Sequence, residues 1–102
     1  MSYLSEFPDY DGKLYIPKGF MDNSWHNDTM PKASKIVTIP IYPTGEIEVM
    51  FIIWQDYINP ELREYEDEKR YIFQINVNSI PVFEYRTDDL LIIEMLVKCI
   101  DD

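Results

Sequence analysis

In "EIEVMFIIW", residues 46–54, apolar and acidic side chains alternate at the start and apolar ones take over at the end. Ile47, Val49, Phe51 and Ile53 fall on one face, and Glu46, Glu48, Met50, Ile52 and Trp54 fall on the other. A period of two predicts a β-strand. Because both faces become apolar towards Trp54, the pattern predicts a central strand whose second side is also covered at that end. Upstream, "KIVTIPIY" (35–42) is rich in β-branched residues, and Pro40 assigns it to an edge or marks a bulge. Between the two, "PTGE" reads as a turn in which Gly45 is free to take a positive φ. A second hairpin is predicted over 70–86. "RYIFQINV" places Tyr71, Phe73, Ile75 and Val77 on one face, "NSIP" turns, and "VFEYR" returns. Two hairpins in series predict an antiparallel meander.

The period changes at residue 87. Leu90, Ile93, Val97 and Ile100 form a helical stripe. Thr87 is placed to cap this helix, and Asp88 and Asp89 lie where the helix dipole favours negative charge. Leu91, Ile92, Met95, Leu96 and Cys99 are apolar as well. A helix over 87–100 with this much apolar surface is expected to pack on the sheet beside another segment, or to bury a face in another chain. Residues 1–34 show no period and are punctuated by Pro8, Gly12, Pro17, Gly19 and Pro31. They still hold Tyr3, Phe7, Tyr10, Leu14, Phe20 and Trp25, too many large apolar groups for a disordered tail. The expectation is an ordered arm that wraps the domain, with Lys13–Ile16 adding a short edge strand. Residues 55–69 are polar, and Asn59 before Pro60 predicts a short capped helical turn.

The expected fold is therefore α+β in a single domain: an irregular arm (1–34), a four-stranded antiparallel meander (35–86), and a C-terminal helix (87–100) packed on one face. A chain of 102 residues can build one core of this kind.

Charge narrows the functional classes. The chain has 19 acids and 9 bases, and its net charge is −10. Residues 52–102 hold 12 of the acids and only 5 of the bases. Direct nucleic-acid binding needs a basic face that displaces counterions, so it is not expected here. A basic protein partner is. The longest apolar run, "LLII", is too short to span a bilayer, and the first residues lack the apolar stretch of a signal peptide. Neither membrane insertion nor export is expected, and the cytoplasm is the default. Cys99 has no partner for an internal disulfide and is expected to pack as a small hydrophobe.

Chemistry has little to build on. "SWHND", residues 24–28, places Ser24, the single histidine His26, and Asp28 close together beside Trp25. Zinc needs further histidine or cysteine ligands. Asp22, Asn27 and Asp28 could offer oxygens to a harder cation, but without the ordered spacing of a calcium loop. No nucleophile elbow and no glycine-rich phosphate loop occurs. No catalytic residue, metal or cofactor is assigned. The stretch reads as a hydrogen-bonded corner with Trp25 anchored in the core and His26 satisfied by backbone or a carboxylate. Its alternative role is recognition through Trp25 or His26.

"GFMDNSWHNDTMP", "WQDYINPELRE", "RYIFQI" and "YRTDD" before a helix together resemble a group of small uncharacterised acidic proteins of bacterial genomes, phages and other mobile elements. The resemblance covers residues 19–96. Met30 stands where that group often has a cysteine. No activity comes with the resemblance. It implies the company of small phage-type regulators and inhibitors, anti-CRISPR proteins among them. The expected function is an inhibitor that occupies a basic, nucleic-acid-binding partner such as a defence effector, with carboxylates standing where phosphates would bind. Its expected contact residues are Asp56, Glu61, Glu64, Glu66, Asp67, Glu68, Asp88 and Asp89, together with Trp25 and His26. The second expectation is a self-associating structural or immunity-type protein whose helix 87–100 or an edge strand such as 35–42 forms a homodimer or mates with a toxin.

Overall fold

The structure, a computed structural model, describes residues 2–63 and 69–101. A single helical turn, α1 (Tyr3–Glu6), opens the chain, and five strands follow: β1 (Met21–Asp22), β2 (Lys32–Pro40), β3 (Glu46–Gln55), β4 (Tyr71–Val77) and β5 (Ile80–Thr87). A 3₁₀ turn, Pro60–Leu62, lies between β3 and β4, and the helix α2 (Leu90–Asp101) closes the fold. The sheet runs β1-β2-β3-β4-β5 with every neighbouring pair antiparallel. The architecture is α+β, a meander with a C-terminal helix, as the two periods predict.

The strand number differs from expectation. The sheet has five strands, not four, and the added one is Met21–Asp22 rather than Lys13–Ile16. Met21 pairs with Ser34 and Asp22 with Ala33, so β2 begins at Lys32, inside the stretch assigned to the arm. Lys13–Ile16 is held differently. The side chain of Gln55, only 1% exposed, accepts from the Tyr15 N–H at 2.8 Å and donates to the Lys13 carbonyl at 2.7 Å. One amide group thus does for the arm what a neighbouring strand would otherwise do.

The turns follow their residues. Ile41 N–H bonds the Gly45 carbonyl at 3.0 Å, and Gly45 has φ +116°, which favours glycine. Asn78 and Ser79 both take positive φ, +49° and +68°, and form the two-residue loop that joins β4 to β5. Pro40 ends β2 beyond the two residues that β1 covers, on an edge where its missing N–H leaves no gap in a ladder. Asn59 caps the 3₁₀ turn by accepting from Glu61 N–H.

The helix starts later than the sequence suggests. Thr87 is the last residue of β5, and its hydroxyl accepts from Asp89 N–H at 3.0 Å. Asp89 is the cap, accepting from Leu91 N–H at 3.0 Å.

The core gathers at one end of the sheet. Ala33, Ile53, Tyr71 and Phe73 from three neighbouring strands meet Phe20 of the arm and Ile93 and Val97 of α2. Burying side chains such as Phe73, Ile53 and Ile93 contributes about 1.5–3 kcal/mol each. On the reverse face Ile52 and Ile72 are also buried, which fits the two-sided apolar end of β3. There the Trp54 indole N–H donates to Gln74 Oε1 at 2.7 Å, and Lys32 Nζ lies 4.7 Å from the ring centre. One stripe of α2 satisfies the core, so Leu91, Met95 and Cys99, spaced four apart, remain on the solvent side. The expectation of a packed Cys99 is corrected.

Candidate functional site

Length decides where the molecule is uncovered. At about 3.3 Å per residue, the ten residues of β3 extend some 33 Å, while the twelve of α2 rise about 18 Å. The helix cannot cover the whole sheet, and the molecule measures 50 × 26 × 24 Å. Burial falls along every long strand in the same sense, away from the level of Ile53 and Phe73.

Register arranges the uncovered part into rows. Val37 faces Val49, Val49 faces Val77, and Val77 faces Ile80. One step nearer the helix, Lys35, Phe51, Ile75 and Phe83 form the next row, with Phe51 and Ile75 touching the core. One step farther out, Ile39 faces Ile47. These side chains share the face on which α2 packs, because they are in phase with Ile53 and Phe73. Ile39 is 46% exposed and Ile80 64%. Four strands at about 4.8 Å spacing give a patch roughly 15 Å wide, and three rows make it about 14 Å long. A patch of about 200 Å² is of the size that ordinary monomers expose. Residues 36–51 and 74–85 contain three acids, Glu46, Glu48 and Glu84, and no Lys or Arg. All three are in phase with the reverse face, which also carries the 53% exposed Ile36, while the front rows include one base, Lys35.

The contact residues expected from sequence divide into groups. Glu64, Glu66, Asp67 and Glu68 lie outside the described residues. Asp56 is 1% exposed, which removes it from any contact surface. It belongs to a buried polar junction of arm, β3 and β4. Its carbonyl accepts from the Tyr10 hydroxyl at 2.9 Å, its N–H donates to the Arg70 carbonyl at 2.7 Å, and its Oδ1 accepts from Tyr57 N–H. Burial pushes the Tyr10 hydroxyl up to about 12. Burial also raises Tyr57, helped by the charges of Asp9, Asp11 and Asp56. Asp11 accepts from Ile58 and Asn59 N–H, both at 2.8 Å. Desolvation, the largest single influence, works against its ionised form, but those backbone bonds together outweigh it and hold the carboxyl below its usual range.

Glu61 is exposed on the 3₁₀ turn. Asp88 is exposed but engaged. Its Oδ1 accepts from Arg70 N–H at 2.9 Å, and Lys69 and Arg63 lie 3.5 and 3.9 Å from its carboxylate. The Arg70 bond first, and then the charges of Lys69 and Arg63, keep it below the ordinary carboxylate range. The structure thus brings Asp88 and the 59–63 loop together, but with three of the nine bases. Asp89 caps α2 and is exposed.

The "SWHND" corner is built around its serine. Ser24 is buried, accepts from Lys32 N–H at 3.1 Å and donates to the Lys32 carbonyl at 3.4 Å, prolonging the β1–β2 ladder past β1. Asp22 accepts from Tyr3 N–H and Ser24 N–H, so its oxygens are engaged in folding. Asp28 pairs with Lys32 at 3.1 Å. Trp25 is not a core anchor: it is 43% exposed and stacks on His26, with ring centres 4.5 Å apart. The reason is spacing, since Ser24 points in and its neighbour points out. His26 Nδ1 lies 3.3 Å from Glu6. Among the described residues no group of three acids, histidines or cysteines is arranged to hold a metal ion, and no helix is long and apolar enough to cross a membrane.

No protein family, curated protein or solved structure matches the chain.

Sequence reasoning missed the uncovered rows. Alternation identified Ile47, Val49, Phe51 and Ile53 as one face but treated all of it as core. The signal that separates the two halves is a comparison of lengths: strands of nine or ten residues against a helix of twelve.

Proposed function

We propose that this protein is a non-catalytic binding module that docks on a basic protein partner through the uncovered end of its sheet and blocks what that partner binds. The observation that carries this reading is the run Val37–Val49–Val77–Ile80, its valines half-buried and Ile80 64% exposed, with Glu46 and Glu48 behind it. The apolar rows supply contact area. Glu46 and Glu48 at their back draw a basic rim towards them and repel nucleic acid, whereas Glu84 is already matched by Arg86 at 2.9 Å. A nucleic-acid-binding protein has such a rim, and covering it displaces phosphates from the same lysines and arginines. The resemblance to phage-type proteins makes a defence effector the first partner class to test. Glu61 and Asp89 can add charge at the opposite end, whereas Asp56 cannot and Asp88 is already matched by Lys69 and Arg63.

The test uses affinity capture from the native host with wild-type protein and with the double variant Ile39→Lys/Ile80→Lys, which changes two exposed positions. The expected result is a basic protein retained by the wild type and lost with the variant. The purified pair should then show loss of nucleic-acid binding when the small protein is added, and weaker association as salt rises. Equal capture by the variant, or a captured protein whose nucleic-acid binding is unaffected, overturns the proposal.

A further inference from the structure

The sheet ends at β5, and among the described residues no strand pairs with its outer edge. Every residue of β5 except Thr87 is exposed. An edge of this kind is a template for another strand unless charge, proline or a bulge interferes. β5 has all three, and their positions are informative. The pairing with β4 runs Ile75–Phe83 and then Asn76–Pro81, so Val82 is the extra residue of a bulge. Pro81 also lacks an N–H. Regular edge is left only from Phe83 to Thr87, and its middle residue is Tyr85.

We infer that this edge is a self-recognition surface: two copies of the chain pair β5 with β5, antiparallel, about a twofold axis through Tyr85. With that centre Tyr85 faces Tyr85 of the second copy, and Phe83 faces Thr87. Glu84 faces Arg86 of the second copy, and Arg86 faces its Glu84, because directly opposed residues share a face. The two charges that would ordinarily guard an edge are complementary to themselves in this register. Glu84 and Arg86 already meet at 2.9 Å within one chain, and both are about half exposed, so the dimer extends an existing pair into a four-charge network.

Neighbouring registers are excluded by the same residues. A centre at Glu84 sets two carboxylates directly opposite each other. A centre at Phe83 runs the ladder through the bulge and Pro81. Centres between residues would oppose side chains from different faces. A single register gives a closed, isologous dimer and not a fibre. The twofold stands perpendicular to the sheet, so the apolar rows of both copies lie on one side of a ten-stranded sheet. This inference does not depend on the proposed partner, since the first is read by mass and the second by capture and competition.

The experiment is sedimentation of the full chain over a wide concentration range, for wild type, Glu84→Arg, Arg86→Glu and an equimolar mixture of the two variants. The wild type should pass from monomer to dimer as concentration rises. Each single variant sets like charges opposite each other at two places, and its dimerisation should weaken by about tenfold or more. The mixture should dimerise again, because each guanidinium then faces a carboxylate of the other variant. Restoration on mixing cannot come from misfolded chains. A wild type that stays monomeric throughout overturns the inference, as do single variants that dimerise like the wild type, or a mixture that remains monomeric. Loss of the dimer in Leu91→Glu/Met95→Glu, with no loss in Glu84→Arg, would assign the contact to the outer face of α2 and overturn it too.

Discussion

Replacing Gln55 by leucine removes both hydrogen bonds that fasten the arm to the end of β3. Leucine is similar in size and keeps the position filled, so the perturbation is almost purely polar. Two backbone groups, the Tyr15 N–H and the Lys13 carbonyl, lose their partner at a largely buried site. Leaving such a group unsatisfied costs about 1–3 kcal/mol, or about 2–6 for the pair. Burying leucine in place of an amide returns about 1–2 kcal/mol. The net loss, taken at the middle of both ranges, should be about 2.5 kcal/mol, a large fraction of the 5–15 kcal/mol typical of a domain this size. Urea titration should show a lower midpoint with an unchanged slope, and the melting temperature should fall by roughly 10–20 °C. Hydrogen exchange gives a local check: the Tyr15 amide should be protected in the wild type and lose protection in the variant. As a control, Gln74→Leu removes a single bond, to Trp54 on the reverse face, and should cost about 1 kcal/mol. A Gln55→Leu protein within about 0.5 kcal/mol of wild type, with Tyr15 still protected, would refute the reasoning.

Other consequences are as direct. Tyr10 ionises near 10 in the unfolded chain and at about 12 when folded, so its contribution is complete below pH 10 and is lost as pH rises towards 12. That difference corresponds to roughly 3 kcal/mol, and denaturation measured from pH 9 to 12 should show a shallower decline in Tyr10→Phe than in wild type. An equal decline would count against the burial assigned to this ring. Asp88 has its carboxyl held low, so its contribution is present above the unfolded value of 3.8 and is lost as pH falls through the folded one; Asp88→Asn should flatten stability against pH in that acid range. Asp89→Ala should destabilise α2 by about 1 kcal/mol, seen as a lower urea midpoint, through loss of the cap on Leu91. Trp25→Ala should change stability by no more than about 1 kcal/mol because the ring is solvent-exposed on His26, and a larger drop would restore the anchored reading.

Local pattern alone determined much of the architecture. Period two over 46–54 and 71–77, a glycine at position 45 and the change to a helical period after residue 87 each act through neighbours in the chain. The meander and the closing helix were therefore legible before any contact was known. Asn59 before Pro60 was legible for the same reason. Tertiary structure decided what depends on residues far apart. Met21–Asp22 became a strand because Ser34 and Ala33 were beside it, and Lys13–Ile16 did not because a side-chain amide, Gln55, met its backbone first. Asp56 sits in an acidic stretch like a surface residue, yet Tyr10, Tyr57 and Arg70 close over it. Trp25 looks like core by its chemistry, but Ser24 takes the inward position. The uncovered rows and the Glu84–Arg86 edge needed register, which sets Val49 beside Val77, 28 positions on, only once the sheet has formed. Composition along one dimension shows which side chains are apolar; whether a helix long enough to cover them is placed over them is a matter of three-dimensional reach.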